Sequence, residues 1–189
     1  MNPRDIIALF DIGSTLIDGP PFGPARRLAE MLGLGKAAVP ELEHLLFRTP
    51  STTAIELGNR IAEKLAIDPE AAVRACRELW DAQLREAYVL PGAKEAIARL
   101  EAAHILRAYL SNIWAPFYEH FRHEFAEEAA SPQQFLSFQA GVMKPDPEFF
   151  RQALRALGVL PENVVMIGDT YKNDILPAIE LGMRTIWVL

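Results

Sequence analysis

Four short apolar runs, at residues 6–10, 105–110, 164–167 and 185–189, constrain this chain more than any other feature. Their apolar residues are consecutive rather than alternating. That is the pattern of strands covered on both faces, as in a parallel sheet between helical layers. A fifth run, residues 135–138, reads as a further strand. The segments between them carry helix signals. Pro91-Gly92-Ala93 opens a helix that runs to Ala103. Asp146 is an N-cap with Pro147 at the first helical position. Phe150, Leu154 and Leu157 follow at helical spacing, and Gly158 supplies the stop. A last helix begins near Asn173 or Asp174, holds Pro177 in its first turn and ends at Gly182. This strand–helix alternation from residue 90 onward predicts an α/β fold with a right-handed parallel core.

Residues 20–89 read differently. They show helices only, punctuated by Gly, Pro and Thr. Asp68-Pro69-Glu70 starts the clearest one, and Val73, Cys76, Trp80 and Leu84 form its apolar stripe. The expected organisation is an α/β core from residues 1–18 and 90–189, interrupted after its first strand by an all-helical insertion at 19–89. A length of 189 residues suits one core with a modest insertion. There is no internal repeat.

The charge balance removes some partners. The net charge is −6 and no Lys/Arg run stands out, so nucleic acid is not an expected partner. Cys76 is the only cysteine, which excludes an intramolecular disulfide and a thiol cluster for zinc, and fits a reducing cytoplasm. Met1-Asn-Pro-Arg-Asp leads into an apolar stretch too short for a signal peptide. No stretch approaches the ~20 apolar residues of a membrane span. The expectation is a cytoplasmic monomer or homodimer.

In an open parallel sheet, ligands bind beyond the carboxyl ends of the strands. Four segments fall there. Phe10-Asp11-Ile12-Gly13-Ser14-Thr15 follows the first strand, and Leu110-Ser111-Asn112 ends the second. Gly141-Val142-Met143-Lys144-Pro145-Asp146-Pro147 is a loop, and Ile167-Gly168-Asp169 leads on to Asp174. A phosphoryl group needs its charge neutralised and its nucleophile aligned. Mg²⁺ prefers oxygen ligands. Asp11 and Asp169 can supply carboxylate oxygens, and Gly13 a carbonyl oxygen. Lys144 can pair with Asp11 and a phosphoryl oxygen, and Ser111 with Asn112 can bind another.

These four segments resemble the signature motifs of the haloacid dehalogenase-like hydrolase superfamily, in the expected order and over most of the chain. The resemblance implies a Rossmann-like, three-layer parallel core with a small helical cap at 19–89 that closes over the site. It implies that Asp11 is the nucleophile that forms an aspartyl-phosphate and that Asp169 binds Mg²⁺. Asp174 would support the metal or Lys144, and Ser111 and Lys144 would bind phosphate. The implied partner is a small phosphorylated metabolite. One position departs. Phosphatases of the superfamily usually carry a second Asp two residues after the nucleophile, as general acid/base, and here Gly13 stands there. A positioned acid is worth ~10²–10⁴-fold in rate. Three readings follow: another group or water protonates the leaving oxygen; the chemistry is carbon–phosphorus or carbon–halogen cleavage; or the chain is a non-catalytic binding module. Phosphonate cleavage would need a cap lysine, and only Lys36 and Lys64 are available.

Plainer roles compete at each position. Ser111 and Asn112 can simply close a turn. Asp174 can cap the last helix, Asp146 reads as a cap, and Asp18 as a turn residue. His120 and His123 share a helical face that reads as solvated rather than metal-binding. Trp80, Trp114 and Trp187 read as packing residues, with Trp114 close enough to Ser111 to line the crevice. Cys76 reads as core.

Overall fold

The structure is a computed structural model that describes residues 6–189; the reading of the chain start falls on residues outside those described. The first half contains β1 (Ile7–Phe10), β2 (Ile17–Asp18), α1 (Pro24–Met31), α2 (Val39–Arg48), α3 (Ala54–Leu65), α4 (Pro69–Glu86) and β3 (Tyr88–Val89). Then come α5 (Ala93–Ala102), β4 (Leu106–Ser111), α6 (Ala115–Glu124), α7 (Ala126–Ala129), β5 (Gln134–Leu136) and α8 (Ser137–Ala140). The chain closes with α9 (Pro147–Leu157), β6 (Val164–Gly168), α10 (Leu176–Glu180) and β7 (Arg184–Trp187).

Five strands form one parallel sheet in the order β5-β4-β1-β6-β7. β1 is central, with Phe10 opposite Tyr109 on one side and Ile167 on the other. Its alternating side chains enter opposite layers. Ile7 and Leu9 pack with Phe149, Phe150 and Met166. Ala8 and Phe10 pack with Ile97, Tyr109 and Phe121. Burying each large apolar side chain is worth about 1.5–3 kcal/mol, so the central strand is held from both faces. The chain runs from β1 toward β5 in one direction and returns through β6 to β7 in the other. Asp11 therefore emerges at the switch point, where ligand crevices form. Its N–H donates to the Ile167 carbonyl at 2.8 Å, which ties it to β6.

The edges of the sheet depart from the sequence reading. β7 is not covered on both faces; Ile186 and Trp187 are about half exposed. Trp187 is thus less a packing residue than an edge residue, whose indole donates to the Asp169 carbonyl at 2.7 Å. At the start of β4, Leu106 is exposed and Arg107 reaches a partly buried ion pair with Glu128 at 2.9 Å. The run at 135–138 is strand only to Leu136. Ser137 then turns the chain into α8, its hydroxyl accepting from Ile113 N–H (3.0 Å) and donating to Ile113 C=O (3.2 Å). The last helix is preceded by a wide π-turn at Tyr171–Ile175. Pro177 has no N–H to return to Asn173, so a regular α ladder is broken there.

Helices α1–α4 surround a cluster of their own, including Leu28, Leu42, Leu57, Ile61, Cys76 and Leu79. α3 crosses α4 at Gly58, where a Cβ would lie 2.6 Å from the Val73 backbone. The buried face of α4 is Ala72, Ala75, Cys76, Leu79, Trp80 and Gln83. Leu84, expected in the stripe, is exposed, and a glutamine holds the buried position beside it. Trp114, from the loop after β4, joins this cluster by packing edge-on against Trp80 with ring centroids 5.9 Å apart. Among the described residues no helix is long and apolar enough to cross a membrane.

Candidate active site

The carboxyl ends of β1, β4 and β6 and the loop before α9 bring Asp11, Asn112, Lys144, Asp169 and Asp174 to one cavity of about 500 Å³. Lys144 is the hub. It is 2% exposed, and its Nζ lies 2.9 Å from Asp11 Oδ1 and 2.5 Å from Asp174 Oδ1. Its backbone is clamped by Asn112, whose amide donates to the Lys144 carbonyl and accepts from the Lys144 N–H, both at 2.8 Å. Asn112 was expected at the phosphate and is occupied on both sides of its amide by this loop. Asp174 is fixed from the other side by the Thr170 N–H, which donates to Oδ2 at 2.9 Å. Gly168 permits the close approach, since a Cβ there would lie 2.6 Å from the Asp174 carboxyl carbon.

Two carboxylates share this one ammonium, and a third, Asp169, lies beside them. Oxygens of Asp11, Asp169 and Asp174 lie within 4.8 Å of one another, the only such group of potential ligands among the described residues. Burial would push the Lys144 ammonium down, but Asp11 and Asp174 outweigh it and leave the pKa raised. Burial and the negative charges of Asp11 and Asp174 push Asp169 up to about 6. Burial and Asp11 also raise Asp174, against the pull of Lys144. The cluster is therefore short of positive charge. A hard, oxygen-only donor set of this kind fits a divalent cation such as Mg²⁺.

Gly13 lines the same cavity, and a Cβ there would sit 3.3 Å from Phe117 Cε1. The ring thus stands over the position of the missing acid. Ser111, at the end of β4, is fully buried; its Oγ has no hydrogen-bond partner, and it is not among the residues that line the cavity. Trp114 does line it. Asp146 caps α9 by accepting the Glu148 N–H at 2.9 Å. His123 pairs with Glu124 at 2.9 Å on an exposed face. Cys76 is buried, with its thiol pushed up to about 12 by burial, which suits core and not nucleophile. Lys36 and Lys64 lie away from the cavity, Lys64 facing Glu41 at 3.4 Å.

Sequence reasoning missed Gln83 and Phe117, which both line the cavity. Gln83 had a signal: it stands three residues after Trp80 and seven after Cys76, a polar side chain on an apolar face. Phe117 had none, since only the fold brings the first turn of α6 over the loop after β1.

A Rossmann-like sheet with a buried lysine bridging acids at its switch point defines a class of α/β hydrolase. The family model for haloacid dehalogenase-like hydrolases matches residues 7–182, and the chain belongs to that family. A glyceraldehyde 3-phosphate phosphatase of Pyrococcus furiosus is 30% identical over 103 residues, covering 52% of this chain and 41% of the relative. A phosphoserine phosphatase of Thermus thermophilus is 45% identical over 53 residues, or 28% of this chain and 21% of the relative. The matches thus span less than half the length of these relatives. A HAD family enzyme of Bacteroides thetaiotaomicron, solved as a magnesium complex, superposes with a TM-score of 0.67 at 19% identity, covering 97% of this chain and 92% of that one. At that identity the likeness shows the fold.

Proposed function

We propose that this chain is a Mg²⁺-dependent phosphatase of small phosphate monoesters, with Asp11 as nucleophile. The observation that carries this reading is the buried Lys144 held between Asp11 and Asp174, with Asp169 in the same cluster. The free Asp11 oxygen attacks phosphorus, the ester oxygen leaves, and water then cleaves the aspartyl-phosphate. Lys144, 2.9 Å from Asp11, holds that carboxylate in place and offers positive charge to the phosphoryl oxygens. The Ser111 hydroxyl, unpartnered at the end of β4 but off the cavity wall, is the remaining donor that the motif assigns to a phosphoryl oxygen. Asp11, Asp169 and the Gly13 carbonyl would hold Mg²⁺, with Asp174 in support. The bound ion would offset charge on the phosphoryl group. Residues 19–89 act as the cap over the cavity, and the relatives' names as phosphatases support the same reaction.

Phosphonate cleavage has less support, because among the described residues Lys144 is the one lysine on the cavity wall. A binding module has no physical need for three crowded carboxylates, two of them buried.

Phosphate release from a panel of small monoesters tests the reading: it should require Mg²⁺, stop with EDTA and return when Mg²⁺ is restored. No release from any ester at saturating Mg²⁺ would overturn it. Because Asp169 titrates near 6, above the ordinary carboxylate, protons compete with the metal as pH falls. Apparent Mg²⁺ affinity by calorimetry should weaken up to about tenfold per pH unit below about 6; a flat profile from pH 5 to 7.5 would exclude this.

Protonation of the leaving oxygen falls to water in the absence of an acid at Gly13. Gly13→Asp should raise the rate, yet Phe117 blocks the new side chain by a few tenths of an ångström. The double variant Gly13→Asp/Phe117→Leu should exceed the single one, reaching about 10²-fold over the starting rate. A steady-state comparison of the variants decides this; loss of activity in both would mean that the small residue is itself required.

A further inference from the structure

We infer that Gln83 is a specificity-determining residue and that the substrate's leaving group is a small uncharged alcohol with an acceptor oxygen, hydroxyl or carbonyl, and no carboxylate or second phosphate. The inference rests on the phosphatase reading above and deepens it.

Gln83 is 4% exposed and stands on the cavity wall. Trp114 Nε1 lies 3.3 Å from Gln83 Oε1. An indole N–H only donates, so the amide oxygen must face Trp114 and the NH₂ must face away. Trp114 is itself 1% exposed and wedged against Trp80, which keeps the indole from turning. The NH₂ points toward Gly19, where a Cβ would lie 3.1 Å from Nε2, and it meets no acceptor among the described residues. This donor pair opens on the cavity, where water serves it in the free protein and a ligand oxygen can take the water's place.

Charge narrows the ligand further. Among the described residues Lys144 is the only cationic side chain lining the cavity, and it is engaged by Asp11 and Asp174. Asp18 adds a further negative charge to the wall. An anionic leaving group would lose its water there without a counter-charge. The Asp18 carboxylate is already served by the Gly19 N–H and the Ser14 and Tyr88 hydroxyls, so an ammonium group beside Gln83 would meet the amide's donors. Phe22, Phe47 and Phe117 complete the wall with apolar surface for a carbon skeleton.

The test compares glycerol 1-phosphate, phenyl phosphate and phosphoglycolate in the wild type, Gln83→Glu and Gly19→Ala. Gln83→Glu retains an oxygen for Trp114 and replaces the donor; Gly19→Ala narrows the space beside it. The wild type should prefer glycerol 1-phosphate over phosphoglycolate by about tenfold or more in kcat/KM. In both variants the preference for glycerol 1-phosphate over phenyl phosphate should fall by about tenfold, mainly through KM. A merely structural role for Gln83 would lower all three esters alike and overturn the inference. So would a wild type that hydrolyses phosphoglycolate equally well. Hydrolysis without these preferences sinks this inference and leaves the phosphatase reading standing, whereas no hydrolysis of any ester overturns both.

Discussion

Asp11→Asn should lose phosphatase activity by about 10³-fold or more and yet be as stable as the parent, or more so. The activity loss follows from removing the attacking oxygen's charge, and a group that acts as nucleophile is not replaced by its neighbours. The stability follows from charge crowding. Asp11 is one of three clustered carboxylates served by one ammonium that contacts two of them, and its charge helps to raise both Asp169 and Asp174. A carboxyl whose pKa is raised in the folded state opposes folding once ionised, so this burden is full above about pH 6 and is relieved as pH falls toward 4. Asparagine removes one repelling charge while Lys144 keeps its closer partner, Asp174. Thermal unfolding in EDTA at pH 7 should therefore give an unchanged or higher Tm for the variant. The difference should shrink at pH 5, where Asp169 of the parent has taken up its proton. Retained activity would end the nucleophile assignment. A clear fall in Tm would mean that the Asp11–Lys144 pair outweighs the repulsion.

Lys144→Met should lose comparable activity with the opposite effect on stability. Methionine fills much of the same volume but leaves Asp11 and Asp174 without their counter-charge at a site that is almost fully buried. Breaking a buried pair by removing one partner costs about 3–5 kcal/mol. For a chain of this size that is a fall of about 10 °C or more. Urea denaturation in EDTA checks it, and Mg²⁺ should return part of the lost stability by binding the folded carboxylates. An unchanged midpoint would show that the pairs with Lys144 contribute no net stability. The two variants together separate a site built for chemistry from one built for stability, since each removes one end of the same 2.9 Å contact.

Much of this molecule was legible in local chemistry. The consecutive apolar residues of β1 and β6 require cover on both faces, and Asp146-Pro147 and Gly158 start and stop α9 by their own backbone preferences. The switch-point rule selected the strand ends that carry Asp11 and Asp169, and the structure brings both together with Lys144 and Asp174. What local chemistry misjudged lies at the edges. Trp187 is apolar and was read as packed, but the amount of neighbouring protein is not encoded in a strand's own residues. The same holds for Leu84, which lost the buried face of α4 to Gln83 because the neighbouring helices, not the helix's own pattern, choose the angle of contact.

The sequence by itself determined the strand and helix signals and the order of the motifs, because each depends on residues near one another in the chain. It also determined that Gly13 stands where an acid is usual. Only the tertiary structure decided that Phe117 occupies the space above Gly13, that Asn112 clamps the Lys144 loop, and that Trp114 turns the Gln83 amide toward the cavity. Each of these contacts joins residues far apart in the chain, across separate strands and helices. Their distances and orientations come from the packing of whole elements, which no local pattern specifies.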